Sequence, residues 1–363
     1  MKTKKLKLLA NLFTYGFIFT IVTSCSKSAK KSNEKVIEQI VPTNIVTPFF
    51  KHWNLILGDG SNAGDASNFI HQDFFYTVNE NDHKWVVYKA PNSGDTHGTS
   101  NNTRTELAQT KKWYPKTADD KLKATLKVKN VSLTGDARVA ASYSVVIGQI
   151  HSADGHENEP LKIFYKKFPG HNKGSIFWHY EINTEGNDNS GRWDYSTAVW
   201  GYDFSVVGTE QNSYPKEPKD GIALNEEFSY EITVKNGIMN LKFTSKNHET
   251  KTFTKNLIES EYTATANIPK QTQELFVPVG QDGLERKKAY AEEGLFFKLG
   301  AYNQTNGKSP TVNKNWCSGA ETHGGNIQKQ YKDGNYAEVW FKEATIQVSD
   351  VAVSNKGYFM KND

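Results

Sequence analysis

From about residue 48 onward, apolar and polar positions alternate with a period of two over many short stretches. In residues 121–129, Leu122, Ala124, Leu126 and Val128 fall on one face and lysines occupy most of the other. That is the pattern of a half-buried strand. Residues 161–168 and 175–182 predict two further strands, separated by the turn-forming run Pro169-Gly170-His171-Asn172-Lys173-Gly174. Phe228, Tyr230, Ile232 and Val234 alternate up to Asn236-Gly237, and Met239, Leu241 and Phe243 alternate after it. Asn-Gly between two such runs is a strong hairpin signal, because both central residues of the tight turn need φ > 0. Residues 337–348 predict a final strand, and residues 256–262 a short helical turn. Four stretches carry little pattern: 59–68, 183–223, 263–288 and 305–336. Loops of that length in a folded domain usually cover or line a site. The fold class expected is all-β, a β-sandwich or jelly roll with long covering loops.

The N-terminus reads as an address. Lys2, Lys4, Lys5 and Lys7 precede a 15-residue apolar run, Leu8 to Val22, that is too short and interrupted for a good membrane span. Val22-Thr23-Ser24-Cys25 follows and resembles the bacterial lipobox, in which the Cys is lipidated and becomes the new N-terminus. Residues 1–24 are read as a lipoprotein signal peptide and 25–44 as a polar, Lys-rich tether. Residues 45–363 then form one domain. The expected location is the outer membrane of a bacterium, on its periplasmic or cell-surface face, held through lipid on Cys25.

Charge changes the picture little. The chain is formally +4, yet residues 45–363 carry 36 basic and 38 acidic residues. A nucleic-acid-binding domain usually has a global basic footprint, so that class is excluded. Two cysteines exclude a disulfide framework and a Cys-rich zinc site. His156, His171, His179 and His323 show no metal-ligand spacing, and no metal or cofactor is expected. A monomer is expected.

Three strands place strong polar groups at i and i+2, where side chains share a face. Arg104 and Glu106 pair in Arg-Thr-Glu-Leu, and Gln149 and His151 in Gln-Ile-His. Lys298, Tyr302 and Gln304 share a face around Gly300, while Leu295, Phe297, Leu299 and Ala301 fill the other. Any one of these is compatible with an ordinary solvated strand. Together they supply cations and an amide for carboxylates, and two groups able to move protons, which suits an acidic carbohydrate. Gly300 would let a sugar approach the sheet. Trp178, Trp193, Trp200 and Trp316 are candidates for stacking on sugar rings, Trp193 and Trp200 more so because they lie in a polar stretch.

Arg-Thr-Glu-Leu at 104–107, Gln-Ile-His at 149–151 and Phe-Phe-Lys-Leu-Gly-Ala-Tyr-Asn-Gln at 296–304 resemble, in order, the three sequence blocks of polysaccharide lyase family 7, the alginate lyases. The run Asn158 to Lys167 also looks familial, and the resemblance covers most of 50–350. Ala108 stands where the family's first block often has a second Arg, and Phe296 where the third block usually has Tyr. The resemblance implies a jelly roll with a groove on its concave sheet, and β-elimination on a 1,4-linked uronate chain. It implies that Arg104 and Gln149 neutralise the substrate carboxylate and that His151, titrating near neutrality, is the base. Tyr302 is implied as the acid, and as both acid and base for mannuronate; cations such as Arg104 or Lys298 beside it would favour its phenolate. Lys298 and Gln304 are implied as substrate contacts, with Glu106 orienting Arg104. Isoleucine in Gln-Ile-His leans toward guluronate, and the long loops lean toward cutting from a chain end. Two other classes stay open. A glycoside hydrolase needs two flanking carboxylates, usually close on one strand; there is no Glu-x-Asp-x-x-Glu run, and Glu181 and Glu185 lie near each other where a strand gives way to a turn-like region. A glycan-binding lipoprotein, or a lyase for another polyuronate, differs in product chemistry.

Overall fold

A computed structural model describes residues 52–66, 69–96, 100–153, 159–182, 193–259, 290–291, 293–348 and 351–355. Cys25, the leader and the tether lie outside the described residues, as does the stretch 263–288. In chain order the strands are β1 (Trp53–Ile56), β2 (Asn62–Asp65), β3 (Phe75–Glu80), β4 (His83–Pro91), β5 (Arg104–Gln109), β6 (Asp119–Asn130), β7 (Ser144–Ser152), β8 (Leu161–Lys166) and β9 (Lys173–Ile182). They continue as β10 (Trp193–Trp200), β11 (Ile222–Ala223), β12 (Phe228–Lys235), β13 (Ile238–Ser245), β14 (His248–Asn256), β15 (Leu295–Asn303), β16 (Tyr336–Val348) and β17 (Val351–Asn355).

The strands form two antiparallel sheets. The first runs β10-β9-β8-β7-β15-β5-β1-β2, with β11 beside β9. The second runs β14-β13-β12-β6-β16-β4-β3, with β17 beside β16. Hairpin neighbours alternate with pairs distant in sequence, such as β7–β15, β15–β5 and β6–β16, as in a jelly roll. The alternation in the sequence is what packs them. Leu122, Ala124, Leu126 and Val128 of β6 and Ile232 and Val234 of β12 are all buried in one apolar core with Leu107, Ile147, Ile150, Phe297 and Leu299 of the first sheet. Each fully buried side chain of this kind contributes about 1.5–3 kcal/mol. The sheets approach closely at Gly148, where an added Cβ would lie 2.6 Å from the Tyr230 hydroxyl, and that hydroxyl donates to the Ile147 carbonyl at 3.1 Å.

The outer face of the first sheet is partly covered as well. Every position of β8 is buried. A second apolar cluster lies there, built from Val146, Phe164 and Phe177 on the strands and Val139, Ala140, Ala141 and Phe204 from covering segments, with Val207, Trp316 and Tyr302 packed against it.

Three sequence expectations change. β14 runs through Asn256 as strand and is followed by bends at residues 257–259, not a helical turn; residues 260–262 lie outside the description. The stretch 183–223 contains β10 and β11, and the stretch 305–336 contains the helix α1 (Ile327–Lys332), capped by the Asn326 side chain accepting from the Lys329 N–H at 2.9 Å. Trp178 and Trp200 belong to the core, and Trp200 donates its indole N–H to the Glu249 carbonyl at 2.9 Å, so neither is a sugar platform.

Candidate active site

Strand β15 lies between β5 and β7 and aligns their polar residues. Tyr302 is opposite Arg104, and Gly300 opposite Glu106, on one side; Lys298 is opposite Gln149, and Phe296 opposite His151, on the other. The β15–β7 pairing is irregular between Leu299 and Tyr302. Gly300 sits inside that irregularity with φ 147°, and a Cβ there would come 2.8 Å from the Glu106 Cα and press on the Thr105 carbonyl. This glycine is therefore required by the backbone of the sheet itself.

Glu106 is the centre of the charges. It is fully buried, accepts from the Gln149 amide, and faces the Lys298 ammonium at 2.8 Å and an Arg104 Nη1 at 3.4 Å. Burial alone would raise its carboxyl, but Lys298 and Arg104 outweigh that and hold it below the usual range. Burial pushes the Lys298 ammonium down, with Glu106 partly offsetting. Burial also opposes the charge on Arg104, yet Tyr302 and Glu106 overcome it and the guanidinium is held more firmly cationic than usual. Its Cζ lies 3.7 Å from the Tyr302 ring centroid, over the ring face. Two polar atoms of this cluster are buried with no hydrogen-bond partner among the described residues: Arg104 Nε and Gln149 Oε1. An unpaired buried donor costs free energy until something accepts from it, and an Arg edge fits a carboxylate.

His151 and Tyr302 flank this cluster. His151 Nδ1 is 2.7 Å from the Ser152 carbonyl, which requires Nδ1–H and leaves the lone pair on Nε2. Its ring packs on Phe296, centroids 5.2 Å apart. Burial first, then the Lys298 ammonium, lower its pKa to about 4, against opposing contributions from Glu159 and the Ser152 carbonyl. The imidazole is thus neutral at pH 7, well below the near-neutral titration read from the sequence. The Tyr302 hydroxyl is 2.9 Å from the Ser100 hydroxyl.

Beyond β7 the same face closes. Lys162, opposite Gln149, is almost fully buried, and so are His179, Glu181, Asp194 and Ser196 on β9 and β10. Phe204 packs on the His179 ring at 4.7 Å and on the Trp316 ring at 5.0 Å, centroid to centroid, and its backbone N–H donates to the Ser196 hydroxyl at 3.0 Å. Among the described residues, the solvent-reached polar surface therefore spans β5, β15 and β7 and ends at β8.

Six of the seven groups read as catalytic or substrate-binding come together here: Arg104, Glu106, Gln149, His151, Lys298 and Tyr302. Gln304 follows the end of β15, is buried, and donates to the Tyr302 carbonyl at 3.4 Å without reaching the charged cluster. Ile150 points into the core, away from the polar face. Two neighbours had no assigned part in the sequence reading, Ser100 and Glu159. Ser100 carries no motif. Glu159 stood in the quoted run 158–167, and its closeness to His151 depends on how the chain returns into β8.

The profile of the alginate lyase family matches residues 49–348. An alginate lyase of Klebsiella pneumoniae is 30% identical over 200 residues, covering 46% of this chain and 59% of that protein. The chain thus spans less than two thirds of that relative's length. The crystal structure of the exolytic PL7 alginate lyase AlyA5 from Zobellia galactanivorans is 60% identical, covers 86% of this chain and 99% of its own, and superposes with a TM-score of 0.80. The crystal structure of the Klebsiella pneumoniae alginate lyase is 21% identical, covers 83% of this chain and 96% of its own, and has a TM-score of 0.57, a likeness of fold.

Proposed function

The chain belongs to the alginate lyase family of polysaccharide lyases, and from that premise we propose that it cleaves alginate by β-elimination over β5, β15 and β7. The observation that carries the reading is the buried cluster Arg104–Glu106–Gln149, with one donor and one acceptor still unpaired beside a neutral histidine and a tyrosine. A uronate carboxylate seated on Arg104 and the second Gln149 N–H loses its repulsion for the electrons that build up when C5 is deprotonated. His151 Nε2 takes the C5 proton. The C5–H electron pair forms the C4=C5 double bond, the C4–O4 bond breaks, and Tyr302 gives its proton to the departing oxygen. For mannuronate, whose C5 proton faces the other way, Tyr302 serves as both base and acid. Glu106 and Lys298 fix the geometry of Arg104 and Gln149.

Guluronate-containing blocks are the preferred substrate in this reading, on the isoleucine of Gln-Ile-His. The cutting mode is from a chain end. The burial of the outer face over β8, β9 and β10 under Phe204 supports it, because a polymer crossing β5 and β15 meets an apolar wall past β7. The exolytic AlyA5, at 60% identity, supports the same mode. The protein acts as a monomer, exported and held at the outer membrane by lipid on Cys25, on the strength of the lipobox-like Val22-Thr23-Ser24-Cys25.

The test mixes protein lacking residues 1–24 and with Cys25 replaced, separately, with polyguluronate, polymannuronate and mixed alginate, and follows the ultraviolet absorbance of the conjugated product. Absorbance that rises with wild type and not with Tyr302→Phe supports the reading; no rise on any alginate overturns it. A spread of mid-length oligomers as the first products overturns the chain-end mode.

A further inference from the structure

His151 faces an electrostatic problem. To act as a base it must become an imidazolium, and Lys298 on β15 and Arg104 on β5 both oppose a further positive charge, while the Glu106 carboxylate on β5 is taken up by those two cations. The Phe296 ring on β15 lies against the imidazole and offers it no counter-charge. On its own strand the ring meets the Ser152 carbonyl, which is already used by Nδ1. The carboxylate that faces Nε2 comes from the chain entering β8: Glu159 Oε1 lies 3.6 Å away. That distance is too long for a hydrogen bond and short enough for an ion pair, so the carboxylate stands beside the lone pair without occupying it.

Glu159 is itself held. Its other oxygen, Oε2, is 3.1 Å from the Lys162 ammonium, and that ammonium is 2.9 Å from Glu181 Oε2. Lys162 and Glu181 are almost fully buried, so the chain Glu181–Lys162–Glu159 is a rigid strut that aims one carboxylate oxygen at the imidazole. Nothing in the cluster around Glu106 does this, because that carboxylate is engaged by Lys298, Arg104 and Gln149.

We propose that Glu159 is a positioning residue for the base: clamped by Lys162, it receives the positive charge that forms on His151 when Nε2 takes the C5 proton. The inference rests on the proposed role of His151 as base. It assigns to Glu159, just ahead of β8, a part in the chemistry that a sugar contact alone would not give it. In the resting enzyme the pair is a neutral imidazole beside a carboxylate. In the transition state it is an ion pair between two partly buried groups, where opposite charges attract more strongly than in open water.

The experiment is the pH dependence of kcat/KM on polyguluronate for wild type, Glu159→Gln, Glu159→Asp and His151→Asn, with thermal unfolding of each. Glu159→Gln is expected to lower kcat about tenfold with little change in KM, and to move the acid limb of kcat/KM toward lower pH by about one unit, because an opposite charge at this range shifts a partner by one to three units. Glu159→Asp, with its carboxylate drawn back by one methylene, is expected to recover part of both. An acid limb in Glu159→Gln that stays where wild type has it overturns the proposal, whatever happens to the rate. If Glu159→Gln does not fold, the limb of Glu159→Asp decides, and an unmoved limb there overturns it equally. Undiminished activity in His151→Asn overturns the base assignment itself, which separates failure of the premise from failure of the inference.

Discussion

Replacing Glu106 by Gln keeps the shape of the side chain and removes one charge from the middle of the site. The carboxylate is 1% exposed and is shared by Lys298, Arg104 and Gln149. Without it, two cations face each other in a buried space, with the lesser contribution of the Glu159 carboxylate left to offset them. Breaking a buried ion pair by removing one partner typically costs about 3–5 kcal/mol, a large fraction of the about 5–15 kcal/mol that stabilises a typical domain. The sign of the pH dependence follows from the direction of the shift. The folded-state pKa of Glu106 is below its unfolded value, so its contribution is fully present above the unfolded pKa of ordinary Glu and is lost as pH falls through the folded one. Each pKa unit of that shift is worth about 1.36 kcal/mol. Urea unfolding of wild type and Glu106→Gln at neutral pH and at a series of acid pH values measures both quantities. The variant is expected to unfold at much lower urea near pH 7, with the difference shrinking steadily as pH falls below the range of ordinary carboxylates. A neutral-pH difference below about 1 kcal/mol, the range of an exposed pair, or a difference independent of pH, would refute the view of Glu106 as the keystone of the charges.

Arg104→Lys retains the charge but loses the planar fork, and kcat/KM on polyguluronate is expected to fall about a hundredfold while the unfolding midpoint moves little, measured by the absorbance assay beside a thermal melt. Gly300→Ala is expected to destabilise by about 1–3 kcal/mol, because the residue sits at positive φ with backbone on the side where Cβ must go; chemical unfolding checks it. Phe204→Ala opens the apolar wall over β8 and β9, and is expected to raise the share of longer oligomers among early products at a stability cost of about 3–5 kcal/mol, read by size separation of short digests. Ser100→Ala removes the hydroxyl beside Tyr302 and is expected to lower kcat several-fold with KM unchanged, read by steady-state kinetics.

The strands that carry the site were legible in the sequence because each has one apolar and one polar face. Arg104 with Glu106 and Gln149 with His151 stand out at i and i+2, and Lys298 with Tyr302 at i and i+4, against Leu107, Ile150, Leu299 and Ala301. In the closed part of the same sheet β8 and β9 were legible as strands, but the cover over their outer face was not. β8 is covered on both faces, so its period of two disappears, and Lys162 within it reads as a solvated lysine although it is buried. β10 lay hidden in a polar stretch, and α1, at six residues, is too short to display a helical repeat. Partners such as Ser100 and Tyr302, 202 positions apart, meet because the segment leading into β5 is carried along by the pairing of β5 with β15, which a pattern of neighbours does not encode.

The place of β15 between β5 and β7 has a consequence for how the molecule is made. Synthesis proceeds from the N-terminus, so β5 and β7 emerge long before residues 295–303. Until those residues arrive, each of the two strands has an unsatisfied row of backbone donors and acceptors, and the half-made sheet offers two open margins able to capture a strand from another chain. Insertion of β15 seals both margins in one event, and the same event aligns Tyr302 with Arg104 and Lys298 with Gln149. Closing so long a loop is slow. Solubility during biogenesis and the birth of activity are thus governed by a single late step, and a substitution that delays it would show first as lost yield, before any change in the turnover of the molecules that finish.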